Sequence, residues 1–517
     1  MAIARTRIPG IAVHAARILI AAILVSACSG ASLRDDIVRH EPSLSKPRAT
    51  EGILWEMANA IETEHGPDHS GFSLLDGSYD SLITRLALID SSVSSLDIQT
   101  YLWYPDYSGR LLLKRAVEAA DRGVYVRLLV DDLLTIGFDQ NIYELDRRPN
   151  VEVRMFNPWK KRSTLSRGGE FIAQMERLNQ RMHNKLVVAD VNAAIVGGRN
   201  NGDHYFGLSE DYNFHDLDLL GFGYIASQSA RMFDHFWNSE WVVSADNLDV
   251  EPDPEFARQK WAEVLEYLRN SEELKTFGTE PADWTGELGQ MADELHIGTA
   301  ELVHDTTTEE AIEQNVYERM FPWMNQAQEE LLITNAYIIP SEKGIEFVRI
   351  LVDRGVKVRI LTNSLASHDV PAVNSHYQKW RDDFILAGVE LYEARPDPEM
   401  RSIVNVAPIE AEFIGLHTKA FVVDRKKAFI GSMNFDPRSA NLNTESGAFV
   451  HSPGLAEELA RVMERDMLPE NAWQVLMDEE GDLYWVNSDE RVDKQPARSS
   501  GQRVMDKIMK IVPAKHN

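Results

Sequence analysis

Two stretches of the chain carry the same set of residues that can handle a phosphate group. Residues 181–201 read RMHNKLVVADVNAAIVGGRNN and residues 416–434 read LHTKAFVVDRKKAFIGSMN. In each, a histidine is followed two residues later by a lysine and five residues after that by an aspartate, and a small-residue pair and an asparagine come further on. The candidate residues are His183, Lys185, Asp190 and Asn200 in the first stretch and His417, Lys419, Asp424 and Asn434 in the second. Imidazole, ammonium and carboxamide groups together can bind a phosphate and attack its phosphorus atom.

These residue types fit the cleavage of a phosphodiester. Its negative charge repels nucleophiles and its alkoxide leaves poorly, so a catalyst must supply positive charge, a nucleophile and a proton donor. One neutral imidazole can attack phosphorus to give a covalent phosphohistidine, while the other, protonated, donates to the departing oxygen and later acts as the base. The two lysines and two asparagines would hold the nonbridging oxygens, so neither a metal ion nor another cofactor is required. The residues alone leave open which histidine is the nucleophile.

The local pattern places each set of residues on a β-hairpin. Residues two apart on a strand point to the same face, so each histidine and its lysine point together. The apolar residues 186–188 and 420–423 continue the first strand, and the aspartate falls where that strand gives way to a turn. Residues 193–196 and 428–430 form the second strand, which leads into the small-residue turn that carries the asparagine.

This duplicated pattern, HxKxxxxD followed by a turn with asparagine, resembles the signature of the phospholipase D superfamily. The resemblance implies an α/β fold with two duplicated phospholipase D-type domains, each a mixed β-sheet flanked by helices, packed around a pseudo-twofold axis. It further implies His183 as the nucleophile and His417 as the acid/base. We expect the signature residues Asp190 and Asp424 to bind amides of the turn rather than to touch the substrate.

Each histidine also requires a partner that fixes its tautomer and orientation. Glu445 follows His417 at the distance where the resembled family places an acidic partner. In the first half, Asp216 and Asp218 are the nearest equivalents, within FHDLDLLGFG. Asp218 aligns with the start of an apolar strand as Glu445 does, so we predict Asp218 and Glu445 as the histidine-orienting residues.

Two further segments indicate which branch of the superfamily the chain resembles. Residues 197–207, GGRNNGDHYFG, and residues 233–238, FDHFWN, are most similar to bacterial cardiolipin synthases of the anchored, non-multispanning type. The resemblance implies a phosphatidyltransferase that uses phosphatidylglycerol, with phosphatidylglycerol or phosphatidylethanolamine as the second lipid. Two alternatives stay open: a phospholipase D that hydrolyses phospholipids to phosphatidic acid, and a non-catalytic lipoprotein scaffold.

Repetition extends beyond the motifs and sets the domain organisation. Residues 121–129, DRGVYVRLL, correspond to residues 353–361, DRGVKVRIL, with nearly the same offset as the motifs, which indicates duplication of one fold. The predicted first domain covers residues 70–245 and the second covers residues 301–470. A helical linker is predicted at 246–300 and a tail at 471–517. In the tail, residues 502–512 have helical periodicity typical either of a membrane-surface helix or of a helix packed on its own domain.

The residues at the amino terminus predict that the protein is exported. Arginines precede a short apolar run that ends in VSAC at Cys28, the only cysteine in the chain. The run is too short to span a bilayer, so residues 1–27 are interpreted as a signal peptide with a lipobox and residues 28–69 as a tether. This interpretation places the protein in the cell envelope, anchored through a lipid on Cys28, and leaves inner and outer membrane open.

Charge and composition limit the partners. The formal net charge of -28 argues against a nucleic-acid partner, because binding to nucleic acid depends mainly on clustered lysines and arginines. It does not exclude a phosphodiester substrate, since a local site can be cationic within an acidic protein. The expected partners are phospholipid substrates and a membrane surface. One chain holds both motifs, so a monomer is sufficient for the site.

Overall fold

A computed structural model of the protein describes residues 41–135, 137–159, 175–308 and 311–509. Cys28 and the predicted signal peptide lie outside the described residues. The strands of the first half are β1 (His69–Leu75), β2 (Ser95–Thr100), β3 (Tyr125–Asp131), β4 (Val151–Phe156), β5 (Leu186–Ala189), β6 (Ala193–Gly197), β7 (Tyr212–His215), β8 (Asp218–Gly223) and β9 (Val242–Ser244). Its helices are α1 (Ile53–His65), α2 (Ser78–Ser91), α3 (Tyr107–Asp121), α4 (Asp139–Asp146), α5 (Met175–Leu178) and α6 (Tyr224–Trp237).

The second half repeats this order after two connecting helices, α7 (Pro254–Asn270) and α8 (Thr285–Ala292). Its strands are β10 (His296–His304), β11 (Thr306–Thr307), β12 (Ile312–Glu313), β13 (Glu330–Asn335), β14 (Lys357–Asn363), β15 (Glu390–Ala394), β16 (Phe413–Leu416), β17 (Lys419–Val423), β18 (Lys427–Gly431), β19 (Ser446–His451), β20 (Ala472–Met477), β21 (Leu483–Val486) and β22 (Arg491–Val492). Its helices are α9 (Asn315–Met324), α10 (Glu342–Asp353), α11 (Pro371–Tyr377), α12 (Arg381–Leu386), α13 (Arg401–Val404), α14 (Pro453–Asp466) and α15 (Ser500–Met509).

Counted outward from one central strand pair, β1 and β10, equivalent strands occur in the same order in the two halves. The first half runs β9-β4-β3-β2-β5-β6-β8-β1, with β2, β3 and β4 parallel and the other neighbours antiparallel. The second runs β10-β19-β18-β17-β13-β14-β15-β20, with β13, β14 and β15 parallel. Strands β1 and β10 pair antiparallel and join the halves into one mixed sheet. An antiparallel pair of equivalent strands is a twofold relation, so the predicted pseudo-twofold duplication is confirmed.

The core lies between this sheet and the helices on its faces, as the apolar strands dictate. Strands β2, β5 and β6 are buried along their whole length, which is the pattern of strands covered on both faces. Helix α6 packs Ile225, Phe233 and Trp237 into the cluster that joins the two halves. The central strands that carry the motif hairpins are therefore held rigidly on both sides.

Two predicted domain boundaries cut through the sheet of the second half. Strand β10 begins at His296, before the boundary at residue 301. Strand β20 pairs antiparallel with β15 although it lies beyond residue 470. The second half of the structure therefore includes residues that the sequence assigned to the linker and the tail.

The described part of the predicted tether is folded onto the first half. The backbone amide of Ser45 donates to Asp234 at 2.8 Å, and the amide of Ala49 donates to the carbonyl of Asp190 at 3.1 Å. Helix α1 then buries Leu54, Met57, Ala58 and Ile61. These four apolar positions have helical spacing and form one face, so hydrophobic burial holds a segment that was predicted to be a tether.

The described part of the terminal helix α15 packs on the second half. Asp506 accepts hydrogen bonds from Asn374 at 2.7 Å and from Gln378 at 2.9 Å, while Val504 and Met505 are exposed. Of the two alternatives for this helix, the described residues fit a helix packed on its own domain, and residues 510–512 lie outside them. None of the helices within the described ranges is long and apolar enough to cross a membrane.

Candidate active site

The two motif hairpins form as predicted and occupy equivalent central positions in the sheet. Strands β5 and β6 pair antiparallel, and so do β17 and β18. Each hairpin turns through two consecutive residues with positive φ, Asp190 and Val191 in the first and Asp424 and Arg425 in the second. Such two-residue turns match the right-handed twist of the flanking strands.

The motif aspartates bind backbone amides, as expected. The carboxylate of Asp190 accepts from the amides of residues 93–95 at 2.7–2.9 Å. The carboxylate of Asp424 accepts from the amides of residues 328–330 at 2.9–3.1 Å. Both therefore fix the turn of the hairpin to the start of the neighbouring strand, β2 in the first half and β13 in the second, and neither contacts a histidine.

The carboxylate that contacts His183 comes from the other half of the chain. Nδ1 of His183 lies 2.9 Å from Oε2 of Glu445, and the side chain of His183 is only 9% exposed. The same carboxylate oxygen accepts a hydrogen bond from the Ser432 hydroxyl at 2.5 Å. Glu445 was predicted to orient a histidine, and the structure pairs it with the histidine of the opposite motif.

The partner of His417 is Asp216, so the prediction of Asp218 is wrong. Nδ1 of His417 lies 2.5 Å from Oδ2 of Asp216. Asp218 instead accepts hydrogen bonds from a buried group of side chains, Ser81, Arg85 and Arg199, at 2.8–3.1 Å. Two buried guanidinium groups neutralise Asp218, and it contributes to the stability of the first half rather than to the orientation of a histidine.

Backbone pairing explains why the carboxylates cross between the halves. The amide of His183 donates to the carbonyl of Thr444 at 2.9 Å, and the amide of His417 donates to the carbonyl of His215 at 2.8 Å. Thr444 and His215 directly precede the two orienting carboxylates, Glu445 and Asp216. Each histidine is therefore held by the segment of the opposite half that leads into β19 or β8.

The small-residue pairs provide room for these contacts. A Cβ atom on Gly198 would collide with the carboxylate of Asp216, so only glycine permits this approach. The second motif has Ser432 at the equivalent position, and its hydroxyl binds Glu445. The two carboxylates are thus supported differently, one by close backbone approach and one by an extra hydrogen bond.

The motif lysines share the buried site with the histidines. Nζ of Lys185 donates to the carbonyl of His183, and Nζ of Lys419 donates to the carbonyl of His417. Both lysines are almost completely buried. Burial lowers the pKa of Lys185 to about 7 and also lowers the pKa of Lys419. A bound anion would favour the charged forms of both amines.

The motif asparagines are also buried beside the hairpins. The side-chain oxygen of Asn200 accepts from the amide of Leu102 at 3.1 Å, which aligns the asparagine with the end of β2. The side-chain oxygen of Asn434 has no hydrogen-bond partner among the described residues. A buried carboxamide oxygen without a donor is unfavourable, and a ligand hydroxyl or amine could satisfy it, whereas a phosphate oxygen would bind the NH₂ group of the same side chain.

The electrostatics favour neutral imidazoles beside charged carboxylates. Burial lowers the pKa of His183 to about 4 and also lowers the pKa of His417. Burial alone would raise the pKa of Asp216 and Glu445, but the adjacent histidines and lysines outweigh it and lower both. With Nδ1–H donated to a carboxylate, the lone pair of each imidazole is on Nε2, which is the form required of a nucleophile.

Sequence reasoning missed two residues that set the position of the histidines. Oδ2 of Asp131 accepts from the amide of Met182 at 2.9 Å, and Oδ1 of Asn363 accepts from the amide of Leu416 at 3.0 Å. Asp131 and Asn363 occupy the ends of equivalent strands, β3 and β14. Their position at parallel strand ends was visible in the sequence, but their partners depend on the tertiary fold.

The described residues contain no group of three or more His, Cys, Asp or Glu side chains that could hold a metal ion. Aromatic rings enclose the imidazoles instead: Tyr101 lies edge-on to His183 at 5.1 Å, and Tyr205 and Phe214 lie 5.3 and 4.9 Å from His417, measured between ring centroids. The site is consequently buried and brings together two imidazoles, two amines and two carboxylates from both halves.

The chain matches a known protein family and is similar in sequence to two named relatives. A family model described as "Cardiolipin synthase, PLD-like domain" matches residues 86–237 and 320–467. The chain is 35% identical over 468 residues to cardiolipin synthase C of Escherichia coli (strain K12), which covers 86% of this chain and 96% of that protein. It is 26% identical over 413 residues to the major cardiolipin synthase ClsA of Bacillus subtilis (strain 168), covering 79% of this chain and 70% of that protein.

A solved structure resembles the fold. Phosphatidylserine synthase of Haemophilus influenzae Rd KW20 superposes with a TM-score of 0.52 at 13% sequence identity, covering 79% of this chain and 91% of that chain. At this identity the likeness concerns the fold. The two matched family segments coincide with the two halves that contribute the crossed histidine and carboxylate pairs.

Proposed function

Because the chain belongs to the phospholipase D-like family that includes the cardiolipin synthases, we propose that it is a phosphatidyltransferase that makes cardiolipin. The single observation that carries the proposal is the pair of crossed contacts, His183 with Glu445 and His417 with Asp216, in one buried site. Phosphatidylglycerol is the proposed phosphatidyl acceptor, and phosphatidylglycerol or phosphatidylethanolamine is the proposed donor.

The proposed first step is attack by Nε2 of His183 on the phosphorus of the donor lipid. His417, which the negative charge of the bound donor phosphate favours in its protonated form, donates a proton from Nε2 to the departing head-group oxygen, and the P–O bond to that oxygen breaks. The product is a phosphatidyl group bound to His183. Glu445 stabilises the positive charge that develops on His183 during this attack.

The proposed second step reverses the roles around the same phosphorus. His417 removes a proton from a hydroxyl of phosphatidylglycerol, the resulting oxygen attacks phosphorus, and the bond between phosphorus and His183 breaks. Lys185, Lys419 and the motif asparagines hold the nonbridging oxygens throughout. The balance is one cardiolipin and one free head-group alcohol for each donor and acceptor consumed.

Burial of the site favours transfer over hydrolysis. Both imidazoles are less than a tenth exposed and are surrounded by aromatic rings, so bulk water has little access to the phosphoenzyme. A lipid hydroxyl delivered from the membrane would therefore compete well with water. Hydrolysis to phosphatidic acid is the second candidate, because it needs the same residues and only a different acceptor.

The test is incubation of the purified protein with phosphatidylglycerol, with and without phosphatidylethanolamine, followed by mass spectrometry of the lipids. Cardiolipin is the expected product, and His183→Ala is the inactive control. Phosphatidic acid as the sole product would favour the hydrolase. Absence of any turnover would favour a non-catalytic scaffold.

We further propose that the protein is held in the cell envelope through a lipid on Cys28. The support is the apolar run that ends at this single cysteine. Labelling of expressing cells with a palmitate analogue should mark the wild-type chain and leave Cys28→Ala unmarked. Equal labelling of both would contradict the proposal.

A further inference from the structure

A cavity beside the first motif is lined mainly by apolar side chains. Its volume is about 520 Å³, which is within the range of cavities that bind small ligands. It opens between α3, α4 and α7 over the ends of β3 and β4, and its apolar lining includes Leu113, Leu128, Ile142, Leu145, Trp261 and Val264. A cavity of this size and polarity favours an extended hydrocarbon over a polar ligand.

The cavity and the candidate active site share a wall through two residues of the cavity lining. Asp131 lines the cavity, and its carboxylate accepts from the amide of Met182, the residue before His183. Trp103 lines the cavity as well and forms a β-bridge with Asn201, the residue after Asn200. The wall of the cavity is therefore one residue away from both the proposed nucleophile and a phosphate-binding carboxamide.

Exposed apolar side chains mark the opening of the cavity. Leu134 and Phe138, in the segment between β3 and α4, both line it and are each 38% exposed to solvent. Large apolar side chains at a cavity entrance are suited to contact with a lipid surface. A hydrocarbon chain could pass from such a surface into the cavity without crossing water.

We infer that this cavity binds one acyl chain of the donor phospholipid while its phosphate lies between the two histidines. The inference rests on the proposed function and deepens it, because it assigns the lipid tail to a specific subsite of the first half. Each buried methylene should strengthen binding roughly fourfold. Discrimination by tail length therefore arises from the space between α3, α4 and α7.

The test compares two identical substitutions on the same helix. Ala257 on α7 lines the cavity, whereas Ala262 on the same helix is exposed and does not line it. Ala257→Trp should fill the cavity and lower kcat/KM for dipalmitoyl-phosphatidylglycerol in mixed micelles at least about tenfold, the equivalent of roughly two lost methylenes. Cleavage of bis(p-nitrophenyl) phosphate, which has no acyl chain, should stay within about twofold of wild type for both variants.

Ala262→Trp is the matched control and should leave both activities unchanged. Val264→Phe is a smaller change in the same lining, to be used if Ala257→Trp does not fold as judged by its circular dichroism. The inference would be overturned if Ala257→Trp lost activity equally on both substrates, or lost none on the lipid. Neither result would contradict the proposed function of cardiolipin synthesis. A wild-type protein that makes no cardiolipin would overturn the proposed function and the inference with it.

Discussion

Replacement of Asp216 by asparagine tests the crossed contact that the structure gives to His417. The carboxylate is fully buried and lies 2.5 Å from Nδ1 of the imidazole. Removing one partner of a buried charged pair costs about 3–5 kcal/mol. If this cost falls on the transition state, in which His417 carries positive charge, kcat should fall about 10²–10⁴-fold, since about 1.4 kcal/mol corresponds to a factor of ten.

The assay is the rate of cardiolipin formation from phosphatidylglycerol in mixed micelles, with the folded fraction measured in parallel by thermal unfolding. Asp218→Asn is the matched control, because this carboxylate binds Arg85 and Arg199 and no histidine. It should lower the free energy of unfolding but leave kcat per folded molecule within about threefold of wild type. A substrate with a p-nitrophenolate leaving group should partly restore cleavage by Asp216→Asn, since this group needs no proton donor.

The reverse result would refute the assignment of Asp216 as the partner of His417. If Asp216→Asn kept kcat within about threefold of wild type while folded Asp218→Asn lost it, Asp218 would be the residue that acts through His417. Failure of the activated substrate to rescue Asp216→Asn would separately contradict the assignment of His417 as the proton donor.

Three other predictions follow from charge and burial. Lys185→Met should lower kcat about 10²–10³-fold with little change in KM, because the ammonium stabilises transition-state charge; the steady-state split of kcat and KM checks this, and a change in KM alone would contradict it. The profile of kcat/KM should fall below about pH 4, where His183 becomes protonated, and should fall again by about pH 7, as His417, whose lowered pKa lies below 6.5, and Lys185 lose their protons; a profile flat from pH 3 to 9 would contradict these shifts. Asp190→Ala should leave three backbone amides without an acceptor and lower the free energy of unfolding by about 1–3 kcal/mol in denaturant melts; unchanged stability would contradict the structural role of this aspartate.

The hairpins were predictable because their information is local. Alternation puts His183 with Lys185 and His417 with Lys419 on one face of a strand, and the turn position of each aspartate marks the end of that strand. The repeat of residues 121–129 in residues 353–361 predicted that both halves have the same order of strands and helices. These features depend on residues close in sequence, and the structure has them where the sequence predicts them.

The choice between Asp216 and Asp218 was wrong because alternation does not separate residues two apart, which share a face of the strand. The register decides it: Gly197 pairs with Asp218 while the equivalent Gly431 pairs with Gly447, so Asp216 is the true equivalent of Glu445. The crossing of each carboxylate to the opposite histidine depends on how the halves dock, and no local pattern contains that. Helix α1 was missed although residues 53–61 are mainly apolar and its four buried residues have helical spacing, because the whole region was assigned to the tether.

The most direct test of the account is a search for the covalent intermediate. His417→Ala, which keeps the proposed nucleophile but lacks the acid/base, is mixed with a p-nitrophenyl phosphatidyl ester, quenched at alkaline pH and mapped by peptide mass spectrometry. We predict one phosphatidyl or phosphoryl group on His183 and none in the His183→Ala protein. Modification of any other residue, or release of p-nitrophenol without a modified peptide, would contradict a reaction centred on His183.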